Sequence, residues 1–368
     1  MGLDAEPLVT LAEIREAADR VRGIVVRTPL LPFGQPLAGD PRGRTRVWLK
    51  PENLQPIGAF KLRGAYNAIA QLPEAVRARG VVTASSGNHA QGVSRAARLL
   101  GIRAVIVMPV DAPRTKVAGV EADGAEIVFV GPASEERAER AAAIADTEGL
   151  ALIPPYDHRH IIAGQGTCGL EIAEQITELQ DAPTEGNTSV FPPGPFTVLV
   201  PIGGGGLASG IATAVKAIRP DATVLGVEPE LAADARDSLR EGRIVRWSAD
   251  DVARTSADGM RTMSLGRLPF RHLRRWLDGV LVVDEASIAA AMLAAARWTR
   301  MVVEPSGATS LAAWLTHGEQ LPDGPVVCVV SGGNVDPSRY RALLELAEAA
   351  EQPKDGAAAR GATGIIGA

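Results

Sequence analysis

Apolar residues recur at helical spacing over residues 11–22, where Leu11, Ile14, Ala18 and Val21 share one face, and this predicts an amphipathic helix. A stretch rich in Pro, Gly and Arg runs from Pro29 to Thr45, after which Arg46-Val47-Trp48-Leu49-Lys50 alternates as a strand does. From Val81 the pattern becomes regular. Strand 81–84, a polar turn, a helix to Leu100 ended by Gly101, and strand 104–107 follow one another. A helix over 114–121, closed near Gly124, leads to strand 125–130. Ser134 then reads as an N-cap with Glu135 and Glu136 in the first turn.

The alternation resumes after Tyr156 with a helix near 168–179, strand 197–202, a helix to Ile218 and strand 223–227. Helices over 286–300 and 308–315 precede strand 326–330. Short strands alternating with helices imply α/β units whose parallel sheets are covered on both faces. Between Asp181 and Phe196 four prolines and no periodicity predict an irregular surface insertion. The Ala- and Gly-rich tail from 351 to 368 reads as disordered.

Composition narrows the class. The 368 residues, 46% hydrophobic and 22% charged, suit a soluble globular protein with room for two domains. The net charge of -5 arises from 38 basic and 43 acidic residues without a long basic run, which argues against nucleic acid as a partner. The start, Met1-Gly-Leu-Asp-Ala-Glu-Pro, has no signal-peptide pattern, and no run of 18 apolar residues could span a membrane. Only Cys168 and Cys328 are present, in neither a CxxC nor a zinc spacing, so two reduced, buried thiols in a cytoplasmic protein are expected.

Five stretches could carry chemistry. Lys61 follows Ile57, Ala59 and Phe60 and opens a pattern with Leu62, Ala65, Tyr66 and Ile69 on one side. It is either a snorkelling lysine with its head in water or a desolvated amine, whose lowered pKa would let it form a Schiff base. Ser85-Ser86-Gly87-Asn88-His89 lies between strand and helix, either as a capped turn or as a site for an anion such as a substrate carboxylate. Gly203-Gly204-Gly205-Gly206 follows a strand and opens a helix, where bare amides can surround a phosphate. The same residues, read as Gly203-x-Gly205-x-x-Ala208 with Glu228 ending the next strand, fit a relaxed dinucleotide fingerprint and hence an NAD-dependent dehydrogenase. Glu228 and Asp234 are either solvated surface acids or hard oxygen ligands for Mg²⁺ or Ca²⁺. Ser331, after the last strand, is a helix N-cap or a hydroxyl facing a ligand. A non-catalytic binding module is also compatible with these patterns.

Taken in order, the motifs resemble the threonine dehydratase and serine racemase family of fold-type II pyridoxal-phosphate enzymes. They are Ala59-Phe60-Lys61-Leu62-Arg63-Gly64-Ala65, the Ser85–His89 loop, Ala163-Gly164-Gln165-Gly166-Thr167, the tetraglycine loop, Glu304-Pro305-Ser306-Gly307 and Ser331-Gly332-Gly333-Asn334. The dehydrogenase reading leaves the first two unexplained. One departure is Ala59, where the family usually has serine.

The resemblance implies a tryptophan synthase beta-like fold with a large cofactor domain from 1–75 and 158–350 and a small mobile domain from 76–157. It implies pyridoxal phosphate on Lys61 beside Phe60, with Gly203, Gly204, Gly205 and Gly206 on its phosphate, Asn88 on its phenolic oxygen and Ser331 on its ring nitrogen. Ser85, Ser86, Gly87, Asn88 and His89 would hold the substrate. Lys61 and Ser86 would carry protons, and Glu304 would have only a supporting role. A divalent cation would sit on Glu228, Asp234 and the carbonyl of Ala232. The implied activity is an ammonia-lyase turning serine, threonine or 3-hydroxyaspartate into a 2-oxo acid, with racemisation or β-replacement as alternatives, in a homodimer.

Overall fold

The computed structural model describes residues 6–34, 47–85, 87–112, 114–131, 134–181, 191 and 193–351. Ten strands occur among them: β1 (Leu31–Pro32), β2 (Val47–Pro51), β3 (Val81–Ala84), β4 (Ala104–Pro109), β5 (Glu126–Val130), β6 (Ala151–Leu152), β7 (Thr197–Pro201), β8 (Thr223–Pro229), β9 (Gly279–Val283) and β10 (Val326–Val330). They form a six-stranded sheet ordered β1-β2-β10-β7-β8-β9 and a four-stranded sheet ordered β5-β4-β3-β6. All pairs are parallel except β1 with β2.

The sequence of β10, Val-Val-Cys-Val-Val, explains its place. Every residue is buried, as a strand covered on both faces requires, and Val326 pairs with Val47 on one side and Thr197 on the other. In such sheets the carboxyl ends of the strands form the binding crevice. Here the ends of β3, β7 and β10 lead directly into Ser85, Ile202-Gly203 and Ser331.

Three helices behind this edge pack unusually closely. A Cβ on Gly164 would lie 2.6 Å from the carbonyl oxygen of Arg63, and one on Gly169 would lie 2.7 Å from Cα of Ile211. Gly164 and Gly169 therefore let the helices Lys61–Ala70 and Gly206–Ile218 approach the helix Arg159–Asp181. That central helix begins well before the expected residue 168, because glycines that weaken helical propensity are tolerated where they bring backbones together.

Other differences from the sequence pattern are instructive. Strand β9 and the helices Arg267–Trp276 and Pro337–Glu351 were not expected. The stretch expected as a surface insertion contributes to the core: Phe191 and Phe196 are buried, and Phe191 packs 5.9 Å from Trp48 and 6.4 Å from Phe196, centroid to centroid. A helix begins at Ser134, whose expected capping side chain lies outside the described residues, as does the tail from 352 onward.

Candidate active site

Lys61 is the first residue of its helix, and the loop before it is fastened to the end of β10. The Phe60 amide donates to the Ser331 carbonyl at 3.1 Å, and the Gly333 amide donates to the Gly58 carbonyl at 2.9 Å. Gly58 has a φ of 72°, and any side chain there would collide with Asn334, so glycine is required twice over. Lys61 Nζ donates to the Pro155 carbonyl at 2.8 Å and lies 5.2 Å from the centroid of the Phe60 ring. Burial pushes the amine down to about 8. It is thus a desolvated amine and not a lysine with its head in bulk water.

The tetraglycine loop faces the same space. Gly205 adopts a φ of 92°, and a side chain on Gly204 would overlap the ring of Tyr156, so bare backbone is all that fits. The loop runs into the amino end of the helix Gly206–Ile218, where exposed N–H groups and the helix dipole favour an anion.

From the other sheet comes the loop after β3. Ser85 Oγ accepts from the Gly87 amide at 3.3 Å, and Asn88 opens the helix Asn88–Leu100. Ser86 lies outside the described residues. Asn88 Nδ2 donates to Glu304 Oε1 at 2.6 Å, and its Oδ1 accepts from Asn334 Nδ2 at 2.8 Å. One N–H of that amide stays available to a ligand. His89 is buried with Nε2 3.0 Å from the Ile153 carbonyl, and burial pushes it down to about 3, so it is neutral. Ser331 is buried, and its hydroxyl donates to the Ser306 carbonyl at 3.4 Å. It does not cap a helix.

A cavity of about 740 Å³ unites these groups. Phe60, Lys61, Ser85, Gly87, Asn88, His89, Gly203, Gly204, Gly205, Gly206 and Ser331 all line it. Glu228, Ala232 and Asp234 do not. Several lining residues carried no sequence signal, among them Lys116 and Asp258, which form an ion pair across the cavity. Glu304, expected only to support its neighbours, lines the cavity itself. Its Oε2 has no partner, and burial, reinforced by Asp258, raises its carboxyl to about 7.

These groups fit pyridoxal phosphate: bare amides for a phosphate, a weakly basic amine for an aldehyde, a free amide N–H for a phenolic oxygen and, once rotated away from its long bond to the Ser306 carbonyl, the Ser331 hydroxyl for a pyridine nitrogen. The acidic pair also fits a cation. Glu228 is fully buried and accepts from the Ala235 and Arg236 amides at 2.9 and 2.8 Å, while Oδ2 of buried Asp234 has no partner. Burial raises both carboxyls, Asp234 to about 7, and Asp234 raises Glu228 further. Among the described residues no third His, Cys, Asp or Glu joins them, so carbonyls and water would complete a shell. They are not solvated surface acids.

Residues 21–332 match the family model described as pyridoxal-phosphate dependent enzyme. The chain belongs to this family. It is 38% identical to serine racemase of Schizosaccharomyces pombe over 338 residues, spanning 92% of this chain and 98% of that one. It is 40% identical over 334 residues to L-threo-3-hydroxyaspartate ammonia-lyase of a Pseudomonas species, spanning 90% and 98%. The solved structure of maize serine racemase superposes with a TM-score of 0.80 at 35% identity, covering 94% of this chain and all of that one.

For a pyridoxal-phosphate enzyme of fold-type II, the parallel sheets and the cavity at their carboxyl edges are accounted for. The dehydrogenase alternative is not sustained. Glu228, the residue it needs for a ribose, is sealed in the interior by two backbone amides. Among the described residues no helix is long and apolar enough to cross a membrane.

Proposed function

We propose that this enzyme is an ammonia-lyase for β-hydroxy amino acids, of which serine, threonine and 3-hydroxyaspartate are the candidates. The observation that carries the reading is Lys61: a half-buried, desolvated amine lowered to about 8, in one cavity with an anion-binding glycine loop and a second anion-binding turn. The names of the relatives, ammonia-lyases and serine racemase, supply the reaction class.

In this reading the amides of Gly203–Gly206 hold the cofactor phosphate. The free N–H of Asn88 meets the phenolic oxygen, Ser331 the ring nitrogen, and Phe60 lies beside the ring. Bound pyridoxal phosphate supplies the electron sink that makes an α-proton removable. Ser85, Ser86, Gly87, Asn88 and His89 form the wall that binds the substrate, with the turn's N–H groups taking its carboxylate. Desolvation lowers Lys61 to about 8, so a substantial fraction is neutral near that pH and can remove the α-proton as general base. Loss of the β-hydroxyl as water and hydrolysis of the released enamine give a 2-oxo acid and ammonia. A proton delivered to the opposite face by Ser86 would give the D-enantiomer instead, which the relationship to serine racemases makes a second reading.

The small unit, 76–157, closes over the substrate, while 1–75 and 158–350 carry the cofactor, and closure excludes water. Glu228, Asp234 and the Ala232 carbonyl hold Mg²⁺ or Ca²⁺ beside it. Both cysteines are buried and free, in keeping with a reducing cytoplasm, where we place a homodimer. The deciding experiment incubates the purified holoenzyme with L- and D-forms of the three amino acids and measures 2-oxo acid and enantiomer. Formation of neither would defeat the assignment.

A further inference from the structure

Lys116 and Asp258 come from opposite sides of the cavity. Lys116 rides on the helix Arg114–Ala122 of the four-stranded-sheet unit, and Asp258 starts the turn Asp258–Met260 beside the six-stranded sheet. Their ion pair is mostly withdrawn from water, with 9% of the lysine side chain and 27% of the aspartate exposed. Removing either partner would leave the other charge poorly solvated.

Each partner is rigidly attached to one of the two anion-binding loops. On the lysine side, a Cβ on Gly119 would lie 2.9 Å from Gln91, so the helix Arg114–Ala122 is pressed against the helix Asn88–Leu100 that the Ser85–His89 loop opens. Lys116 Nζ is also the atom nearest to a Cβ built on Gly87, at 3.9 Å. On the aspartate side, the Gly259 amide donates to Ser306 Oγ at 2.9 Å, and a Cβ on Gly203 would lie 3.3 Å from the Gly259 carbonyl. The Ser306 carbonyl in turn accepts from Ser331.

We propose that the Lys116–Asp258 ion pair clamps Gly87 and the start of the helix Asn88–Leu100 against the Gly203–Gly206 loop and so positions the amino acid for Lys61. The pair consists of positioning residues. It rests on the reading of Ser85–His89 as the carboxylate loop. Among the neighbouring charges, Glu304 and Arg261 face the same turn and set the field in which the pair forms.

The test uses holoenzyme carrying Lys116→Met, Asp258→Asn, both together, and the exchanged pair Lys116→Glu with Asp258→Lys. Binding of glycine, which has no β-group to lose, is read from the cofactor absorption, and KM and kcat are measured with the best substrate. Each single variant should weaken glycine binding and raise KM about tenfold, with a smaller fall in kcat. The double variant should be no more than about threefold worse than either single one, and the exchanged pair should recover most of the loss. Additive losses, shifts of opposite sign in the two single variants, or unchanged glycine binding would overturn the clamp. Should a single variant fail to hold cofactor, the exchanged pair decides, and its failure to recover counts against the proposal. Wild-type holoenzyme that binds no amino acid would remove the carboxylate-loop reading and the clamp together, whereas normal binding in every variant removes the clamp alone.

Discussion

Asn334 donates its side-chain N–H to the side-chain oxygen of Asn88 at 2.8 Å, joining the end of β10 to the first turn of the helix after β3. The same Asn334 nitrogen donates to the Ile57 carbonyl at 2.8 Å, just before the lysine segment. Three chain-distant loops are thereby set beside one cavity, and the Asn88 amide is oriented with its oxygen on Asn334 and its N–H groups on the side of Glu304.

Removing that orienting bond should loosen the cofactor. Asn334→Ala leaves Asn88 Oδ1 and the Ile57 carbonyl without their partner, a loss of about 1–2 kcal/mol. Pyridoxal phosphate should dissociate roughly tenfold more readily, followed by its absorption during dialysis, while circular dichroism of the variant stays that of the wild type.

Lys61→Ala should abolish both the absorption band of bound cofactor and product formation. The wild-type apoenzyme gives a pH test of the lowered amine. With a value of about 8 in place of the ordinary 10.5, roughly half of Lys61 is neutral at pH 8, and protonation removes the nucleophile as pH falls. Cofactor capture should accelerate from pH 6 to about pH 8 and then level off. A rate that still climbs toward pH 10 would show an ordinary, solvated lysine.

Burial, and for Glu228 also the charge of Asp234, disfavours the ionised carboxyls, and a divalent cation would relieve this. Chelation should lower the melting temperature by about 5 °C, Mg²⁺ or Ca²⁺ should restore it, and Asp234→Asn should erase the response. Equal melting curves with and without chelator would exclude the cation.

Arg63 is a structural group that the lysine motif conceals. Fully buried, it donates to Glu52 at 2.7 and 2.8 Å and to Glu171 at 2.7 and 2.9 Å, beside Lys50, which donates to Glu171 at 2.6 Å. Arg63→Ala would leave buried Glu52 without its ion-pair partner, with only the neutral donors Thr28 and Gln55, and Glu171 with Lys50 alone, and should cost about 3–5 kcal/mol in urea unfolding. Arg63→Lys should recover only part of this, since an ammonium cannot serve both carboxylates with paired bonds.

Ser86 is tested by chirality. Lys61 can reach one face of a planar α-carbon, so exchange on the other face needs a second proton carrier. Ser86→Ala should keep L-serine turnover and lower D-serine formation and elimination at least about tenfold, or roughly 1.4 kcal/mol. Equal losses for both enantiomers would reduce Ser86 to a binding group.

The sequence by itself determined the alternation of strands and helices from Val81 onward, because strand and helix periods are written locally, and it marked the glycine loop and Lys61 through residue types that few other roles require. It also named the acids at 228 and 234, though not that they are buried. Only the tertiary structure decided what depends on residues far apart. The surroundings of the Lys61 amine include the Pro155 carbonyl, 94 residues away. Glu304 entered the site because Asn88 and Asp258 lie beside it, 216 residues away in the case of Asn88. Lys116 and Asp258 are 142 residues apart, each unremarkable in its own segment, and meet only in the folded chain. Burial and charge pairing are properties of the surroundings that folding supplies, whereas periodicity and glycine geometry belong to the chain.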